Sequence, residues 1–113
     1  MHWPEFWVAV NDQSYEKEVL RFKGFVVVDF WHPRCEECIE IAPMLVKISE
    51  ECAGRVKFCH FRCPTRLAFK LKLGKIPAVY FYKDGELVGR LLQEQISEGR
   101  IREKLREFGL LIN

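Results

Sequence analysis

Residues 25–43 read FVVVDFWHPRCEECIEIAP, and this stretch carries more information about the fold than any other part of the chain. Its first seven residues are β-branched or aromatic at nearly every position, which predicts a central parallel strand buried on both faces. Cys35 and Cys38 follow after a short loop, and the apolar residues beyond them recur at helical spacing. Pro43 falls inside that predicted helix, where it removes a backbone hydrogen bond and is expected to kink it.

Strands and helices alternate on either side of this stretch. Strands are predicted at 6–10, 25–31, 56–61, 78–82 and 87–91, and helices from Asp12 or Ser14 to Gly24, at 35–52, at 64–73 and from Ser97 to Gly109. Asp84 and Gly85 form a dipeptide typical of a hairpin turn, so the last two strands are expected to be antiparallel. The order β-α-β-α-β-α-β-β-α predicts an α/β fold with a mixed central sheet flanked by helices on both faces. We interpret residues 1–113 as a single domain.

Composition narrows the class of protein. The chain has 113 residues, of which 49% are hydrophobic and 30% charged, as expected for a soluble globular domain. The net charge of +2 argues against binding to nucleic acid or anionic lipid. No apolar run approaches the length of a membrane span. The first residues lack a basic region followed by an apolar one, so we expect a cytoplasmic location.

Five cysteines is an odd number, so they cannot all pair within one chain. A close pair in a reducing compartment is more often catalytic or metal-binding than structural. Cys35 lies at the predicted start of a helix, where the helix dipole favours a thiolate, and we expect it to be the exposed nucleophile. Cys38 lies one turn further in and is expected to be the buried thiol that resolves the mixed disulfide.

Charged residues around the pair act in opposite directions. Arg34, together with Lys75 if the fold brings it near, would stabilise the Cys35 thiolate, whereas Glu36 and Glu37 would oppose it. Each such effect is about 0.3–1 kcal/mol. Our hypothesis is that the glutamates raise the pKa of Cys35 and make the pair more reducing.

Several motifs together closely resemble the thioredoxin family. They are Val28-Asp29-Phe30-Trp31, Cys35-x-x-Cys38, Ile41-Ala42-Pro43, Ile76-Pro77 and Phe81-Tyr82-Lys83-Asp84-Gly85-Glu86. The resemblance covers nearly the whole chain and implies a thioredoxin fold. It also implies an enzyme that reduces or exchanges disulfides of substrate proteins.

The resemblance implies roles for three further residues. Pro77 matches the family's cis-proline, which lies beside the disulfide, helps to hold an extended partner segment and keeps metal from the cysteines. Asp29 matches a buried aspartate that accepts a proton from the resolving thiol, and Trp31 a tryptophan packed beside the active site. A member of this family is expected to be a monomer, to bind no cofactor or metal, and to receive electrons from a thiol reductase, here unidentified.

Some positions depart from the family pattern. Glu36 and Glu37 replace Gly-Pro between the cysteines, and Gln93 replaces a glycine on the surface where partners dock. Phe58 is interpreted as standing where the family often carries the lysine partner of the buried aspartate. These departures predict a charged and selective docking surface. Its residues are Trp31, Arg34, Glu36, Glu37, Lys75, Ile76 and Pro77.

Alternative interpretations remain for the same residues. The active-site pair could join Cys59 and Cys63, with His60 between them, in a zinc site. The domain could also be an oxidase or isomerase, or a non-catalytic interaction module. Cys52 and Cys59 are expected to pack in the core and Cys63 to be exposed. A basic run is expected to be a solvated face, or else a docking surface for an acidic protein; it consists of Arg62, Arg66, Lys70, Lys72 and Lys75.

Overall fold

The computed structural model describes residues 2–52 and 54–112, and for Arg66 and Phe69 the backbone alone. In these residues, five strands form one sheet: β1 Val8–Val10, β2 Phe25–Trp31, β3 Lys57–Arg62, β4 Ala78–Lys83 and β5 Glu86–Leu92. The described parts of the chain also form three α-helices: α1 Glu36–Glu51, α2 Arg66–Lys70 and α3 Glu98–Glu107. In the part of the chain described, no helix is long and apolar enough to cross a bilayer.

The sheet has the strand order β1-β3-β2-β4-β5. Strands β1, β3 and β2 are parallel, whereas β4 is antiparallel to both β2 and β5. The sheet is therefore mixed, as the element order predicted, and β2 lies at its centre. The loop that leads to Cys35 leaves the end of this central strand.

Apolar residues cover both faces of the sheet. On one face, Val27 and Phe81 pack in a cluster with Leu45 of α1 and Leu105 of α3. The other face carries a second cluster, whose members include Val28, Phe30 and Phe61 of the strands with Ala68 of α2. Neighbouring residues of β2 thus enter opposite cores because successive side chains of a strand point to opposite faces. Helices flank the sheet on both faces, as predicted.

The first strand and the first helix are shorter than predicted. Strand β1 begins at Val8 because a turn precedes it, in which the backbone N–H of Trp7 donates to the carbonyl of Pro4 at 3.0 Å. The helix from Asp12 or Ser14 to Gly24 is reduced to one π-helical turn at Glu16–Leu20. Asn11 organises the turn before it, since its Oδ1 accepts from the N–H groups of Gln13 and Ser14 at 2.9 Å each.

The third predicted helix, 64–73, is also shorter. It runs only over Arg66–Lys70 because Thr65 caps it, with Oγ1 accepting from the N–H of Ala68 at 3.2 Å. At the other end, Lys72 has a φ of 53°, a left-handed conformation that stops a helix. The remaining boundaries agree with the predicted ones to within two residues, which is ordinary for fraying ends.

The N-terminal segment is held against α1 and β3. The indole N–H of Trp7 donates to Ser49 Oγ at 2.8 Å, and that hydroxyl donates to the carbonyl of Val46 at 2.6 Å. Trp3 stacks on Trp7 with ring centroids 4.6 Å apart and on His60 at 4.7 Å. These contacts place an aromatic layer over the sheet next to the loop that carries Cys35.

Candidate active site

Cys35 and Cys38 lie where α1 begins, and a disulfide joins them. Their Cα atoms are 5.2 Å apart, within the usual range for such a bond. Cys35 is the N-cap of the helix, and its sulfur accepts from the backbone N–H of Cys38 at 3.2 Å. The backbone N–H of Cys35 donates to the carbonyl of His32 at 3.0 Å, which fixes the preceding loop. The sulfur of Cys35 thus lies at the positive end of the helix dipole.

The two cysteines differ in burial. Cys35 is partly exposed, whereas Cys38 has no accessible surface. Cys35 is therefore the more accessible of the two cysteines, as the helical spacing predicted. Glu36 and Glu37 occupy the first helical turn and are exposed, so their charges face solvent beside the reactive sulfur.

Asp29 is buried in β2 and has no accessible surface. Neither of its carboxylate oxygens has a hydrogen-bond partner among the described residues. Burial without compensation disfavours the charged form and raises the pKa of this carboxyl from 3.8 to about 8. Asp29 lies two residues after Val27 in β2 and therefore on the same face of the sheet. Helix α1, which carries Cys38, covers this face. The group can therefore exchange a proton near neutral pH.

The residue opposite Asp29 on β3 is His60, so the interpretation that assigned this position to Phe58 was wrong. The parallel register pairs Asp29 with His60 and Val27 with Phe58. Residues 58 and 60 lie on the same face of a strand, so the sequence pattern fits either assignment. Burial lowers the pKa of His60, whose ring stacks on Trp3. No sequence pattern indicates a role for His60, because only the strand register identifies its neighbour.

Pro77 and Gln93 meet beside the active-site loop. The Ile76–Pro77 peptide bond is cis, and the carbonyl of Pro77 accepts from the N–H of Gln93 at 2.9 Å. Gln93 has a φ of 49°, in the left-handed region that favours glycine. The conformation is one that favours glycine, the residue that the family resemblance implies at this position. Lys75, directly before Ile76 in the sequence, is exposed and lines a neighbouring cavity.

Trp31 is the last residue of β2, and Arg34 lies in the loop between β2 and α1. Trp31 is half-buried, and its ring centroid is 5.9 Å from that of Trp3 in an edge-on arrangement. Its indole nitrogen is buried without a partner among the residues described. Arg34 is exposed, and its backbone N–H donates to Nδ1 of His32 at 3.0 Å. Trp31 therefore supports the loop from within, whereas the Arg34 side chain faces solvent.

The three remaining cysteines are free and buried. The expectation that Cys63 is exposed was wrong: its N–H donates to the carbonyl of Trp31 at 2.7 Å, which extends the ladder beyond β3, and only 6% of its surface is accessible. Burial raises the pKa of Cys59 to about 12 and, with a smaller contribution from the charge of Asp29, that of Cys63 to about 11. Burial also raises the pKa of Cys52. These thiols are therefore protonated and poorly reactive at neutral pH.

The alternative zinc site is not assembled in the parts of the chain that the structure describes. There, no three side chains of His, Cys, Asp or Glu lie close enough to hold a metal ion. Cys59 packs in the cluster that includes Ala68 of α2, whereas His60 stacks with Trp3 on the opposite face of the sheet. Adjacent strand residues point to opposite faces, which separates these two ligands.

Comparison with known proteins agrees with this geometry. The sequence model of the Thioredoxin family matches residues 6–108. The chain belongs to the thioredoxin family. A thioredoxin of Acetoanaerobium sticklandii is 28% identical over 101 residues, which cover 88% of this chain and 96% of that protein. Thioredoxin C-2 of Corynebacterium nephridii is 36% identical over 74% of this chain and 79% of its own length. A thioredoxin of Pseudomonas aeruginosa is 33% identical, with coverage of 80% and 89%.

Family membership and the cysteine pair at disulfide distance together establish the activity. This member of the thioredoxin family is a thiol–disulfide oxidoreductase that acts through Cys35 and Cys38. The predicted α/β thioredoxin fold, the enzyme class and protein disulfides as the substrates are confirmed.

Removal of the two glutamate charges is expected to make Cys35 more reactive. Glu36→Gln with Glu37→Gln keeps side-chain size but removes negative charge beside the sulfur, so the pKa of the reduced Cys35 thiol should fall. Alkylation by iodoacetamide at pH 7 should become about threefold faster. The pH dependence of the alkylation rate gives the pKa directly. Glu40→Gln with Glu50→Gln, on exposed positions further along α1, is the matched control. An unchanged or raised pKa in the first variant would contradict the hypothesis.

Proposed function

We propose that the protein reduces disulfides of substrate proteins, with Cys35 as the attacking thiolate, Cys38 as the resolving thiol and Asp29 as the group that accepts the Cys38 proton. The unequal burial of the two cysteines is the observation that carries this assignment. A partly exposed cysteine at a helix N-cap can reach a substrate disulfide, whereas a cysteine without accessible surface can reach only its neighbour.

The proposed cycle transfers two electrons from the dithiol to the substrate. The Cys35 thiolate attacks one sulfur of the substrate disulfide, forms a mixed disulfide and releases the other sulfur, which takes up a proton from solvent. Cys38 then gives its proton to the Asp29 carboxylate and attacks the sulfur of Cys35. The second substrate thiolate leaves, and the Cys35–Cys38 disulfide forms.

Asp29 supports the second step through its burial. A carboxyl group with a pKa of about 8 is present in both protonation states near neutral pH. An aqueous carboxyl would stay ionised and be a poor acceptor for a thiol proton, because efficient transfer needs a pKa near the working pH.

We also propose that the single domain of residues 1–113 works as a monomer in the cytoplasm without a bound cofactor. Its redox group would be the Cys35–Cys38 disulfide, and an unidentified thiol reductase would restore the dithiol. Three free cysteines support a reducing compartment, since exposure to an oxidising one favours paired cysteines.

A trapping experiment tests the assignment of the two cysteines. The reduced Cys38→Ser variant, mixed with insulin, should accumulate a mixed disulfide on Cys35 because the resolving thiol is missing. Non-reducing electrophoresis and peptide mass mapping locate the adduct. The double variant Cys35→Ser/Cys38→Ser keeps the three buried thiols and should form no adduct. An adduct on Cys52, Cys59 or Cys63 instead of Cys35 would refute the proposed roles.

A further inference from the structure

A cavity of about 1100 Å³ opens beside the loop that leads to Cys35. Its walls come from residues around α2 and from His32, which belongs to the loop that leads to Cys35. Ile76, the residue before Pro77, forms part of the same wall. Because the carbonyl of His32 accepts the N–H of Cys35 at 3.0 Å, the cavity and the disulfide share one loop. A substrate bound through Cys35 would therefore lie next to the mouth of the cavity.

The inner wall of the cavity is apolar. Cys63, Ala68 and Leu73 line it while being almost fully buried, and Ile76 is partly buried. Ligand sites commonly measure about 300–1,000 Å³, so this cavity is large enough for more than one apolar side chain. Transfer of such side chains from water into it is favourable in proportion to the apolar area removed from water.

Three lysines surround the opening. Lys70, Lys72 and Lys75 line the cavity and are exposed, and among the residues that the structure describes no carboxylate contributes to its lining. Among the residues that the structure describes, none of the three forms an ion pair. Of the other members of the basic run, Arg62 is exposed but not part of the lining, and the Arg66 side chain lies outside the described residues. The mouth therefore has a positive potential that attracts anionic groups.

We propose that this lysine-rimmed cavity selects substrate proteins in which an apolar side chain flanked by aspartate or glutamate lies near the reactive disulfide. The proposal rests on the function proposed above and names the class of substrate. The apolar side chain enters the cavity, and the flanking carboxylates pair with the lysines at its rim. A polypeptide segment fits better than a free small molecule because the cavity shares a loop with Cys35, to which the substrate becomes bound.

Two disulfide-linked peptides test this selectivity. They share one leucine beside the cysteine and differ only in whether glutamates or lysines flank it. The protein should reduce the glutamate peptide with about tenfold higher kcat/KM, since exposed ion pairs contribute modestly but add up across a rim. Raising the salt concentration should shrink the difference because exposed charges are screened. In the Lys70→Gln/Lys72→Gln variant, the ratio of kcat/KM for the glutamate peptide to that for the lysine peptide should fall about fivefold.

Controls separate this inference from the function on which it rests. Lys17→Gln/Lys47→Gln removes the same charge from exposed positions outside the cavity lining and should keep the preference. Equal kcat/KM for both peptides, or equal loss in both double variants, would overturn the proposal. Inhibition of both peptides alike by a free fatty acid would assign the cavity to a small ligand and also overturn it. Reduction of the neutral 2-hydroxyethyl disulfide reports the thiol chemistry separately, so its absence would show failure of the proposed function.

Discussion

Cys35→Ser is expected to lower the rate of insulin-disulfide reduction by about a thousandfold or more. A serine hydroxyl is un-ionised at neutral pH and forms no disulfide, so the first step of the cycle has no attacking group. Removing a nucleophile from other enzymes that act through covalent intermediates has effects of at least this size. The measurement is insulin reduction with dithiothreitol as electron donor, followed as turbidity and corrected for the rate with dithiothreitol alone.

Cys52→Ser is the matched control for that experiment. It makes the same chemical change at a thiol that has no accessible surface, lies outside the cavity lining and has a pKa raised by burial. Such a thiol contributes no attacking thiolate at neutral pH, so the variant should keep most of the activity. If the Cys35→Ser variant still reduced insulin disulfides at a substantial rate, the mechanism would be refuted.

Asp29→Asn is expected to stabilise the oxidised protein at alkaline pH by about 3–5 kcal/mol. Asparagine has nearly the same shape as aspartic acid but never ionises. The pKa of Asp29 rises from its ordinary value of 3.8 to about 8 in the folded protein. Each pKa unit of difference between the folded and unfolded states corresponds to about 1.4 kcal/mol, so a shift of about four units gives roughly 6 kcal/mol, which relaxation of the folded protein around the charge lowers to the stated range.

The pH dependence of this effect has a definite sign. Between pH 4 and pH 8 the unfolded chain has lost the Asp29 proton while the folded protein still holds it. The contribution of Asp29 to the free energy of unfolding therefore decreases as pH rises through this window and becomes constant above it. The variant should match the parent protein near pH 4 and exceed it increasingly up to pH 8–9. Oxidised protein is used so that Cys38 does not titrate.

Denaturant unfolding at a series of pH values measures the difference. Asp12→Asn removes a carboxylate from an exposed position and should change stability by less than about 0.5 kcal/mol throughout. A pH-independent difference for Asp29→Asn would contradict the raised pKa. If Asp29 also accepts the Cys38 proton, the variant should resolve mixed disulfides more slowly at neutral pH, a kinetic effect that added stability alone does not produce.

The sequence was sufficient to predict the order of helices and strands and to identify the redox pair. Strand β2 is apolar on both faces, and α1 has a continuous apolar side, so their types follow from residue pattern. Cys35 and Cys38 are separated by one helical turn, so their unequal exposure follows from the helix alone. These features are local, and local physics determines them.

The features that the sequence could not predict depend on contacts between distant segments. The pairing of Asp29 with His60 is a matter of strand register, and residue alternation does not distinguish position 58 from position 60. Cys63 is buried because the β3 ladder continues past Arg62, beyond the predicted end of the strand. The cavity exists only because the loop at His32 meets the segment around α2.

The aromatic layer formed by the N-terminal segment also has a spectroscopic consequence. The chain has three tryptophans. The ring centroid of Trp3 lies 4.6 Å from that of Trp7 and 5.9 Å from that of Trp31. All indole chromophores thus belong to one contiguous group, at the end of β2 that leads to the disulfide. Intrinsic fluorescence and near-ultraviolet circular dichroism of this protein therefore report on one local region, the surroundings of the redox pair, rather than on an average over the molecule.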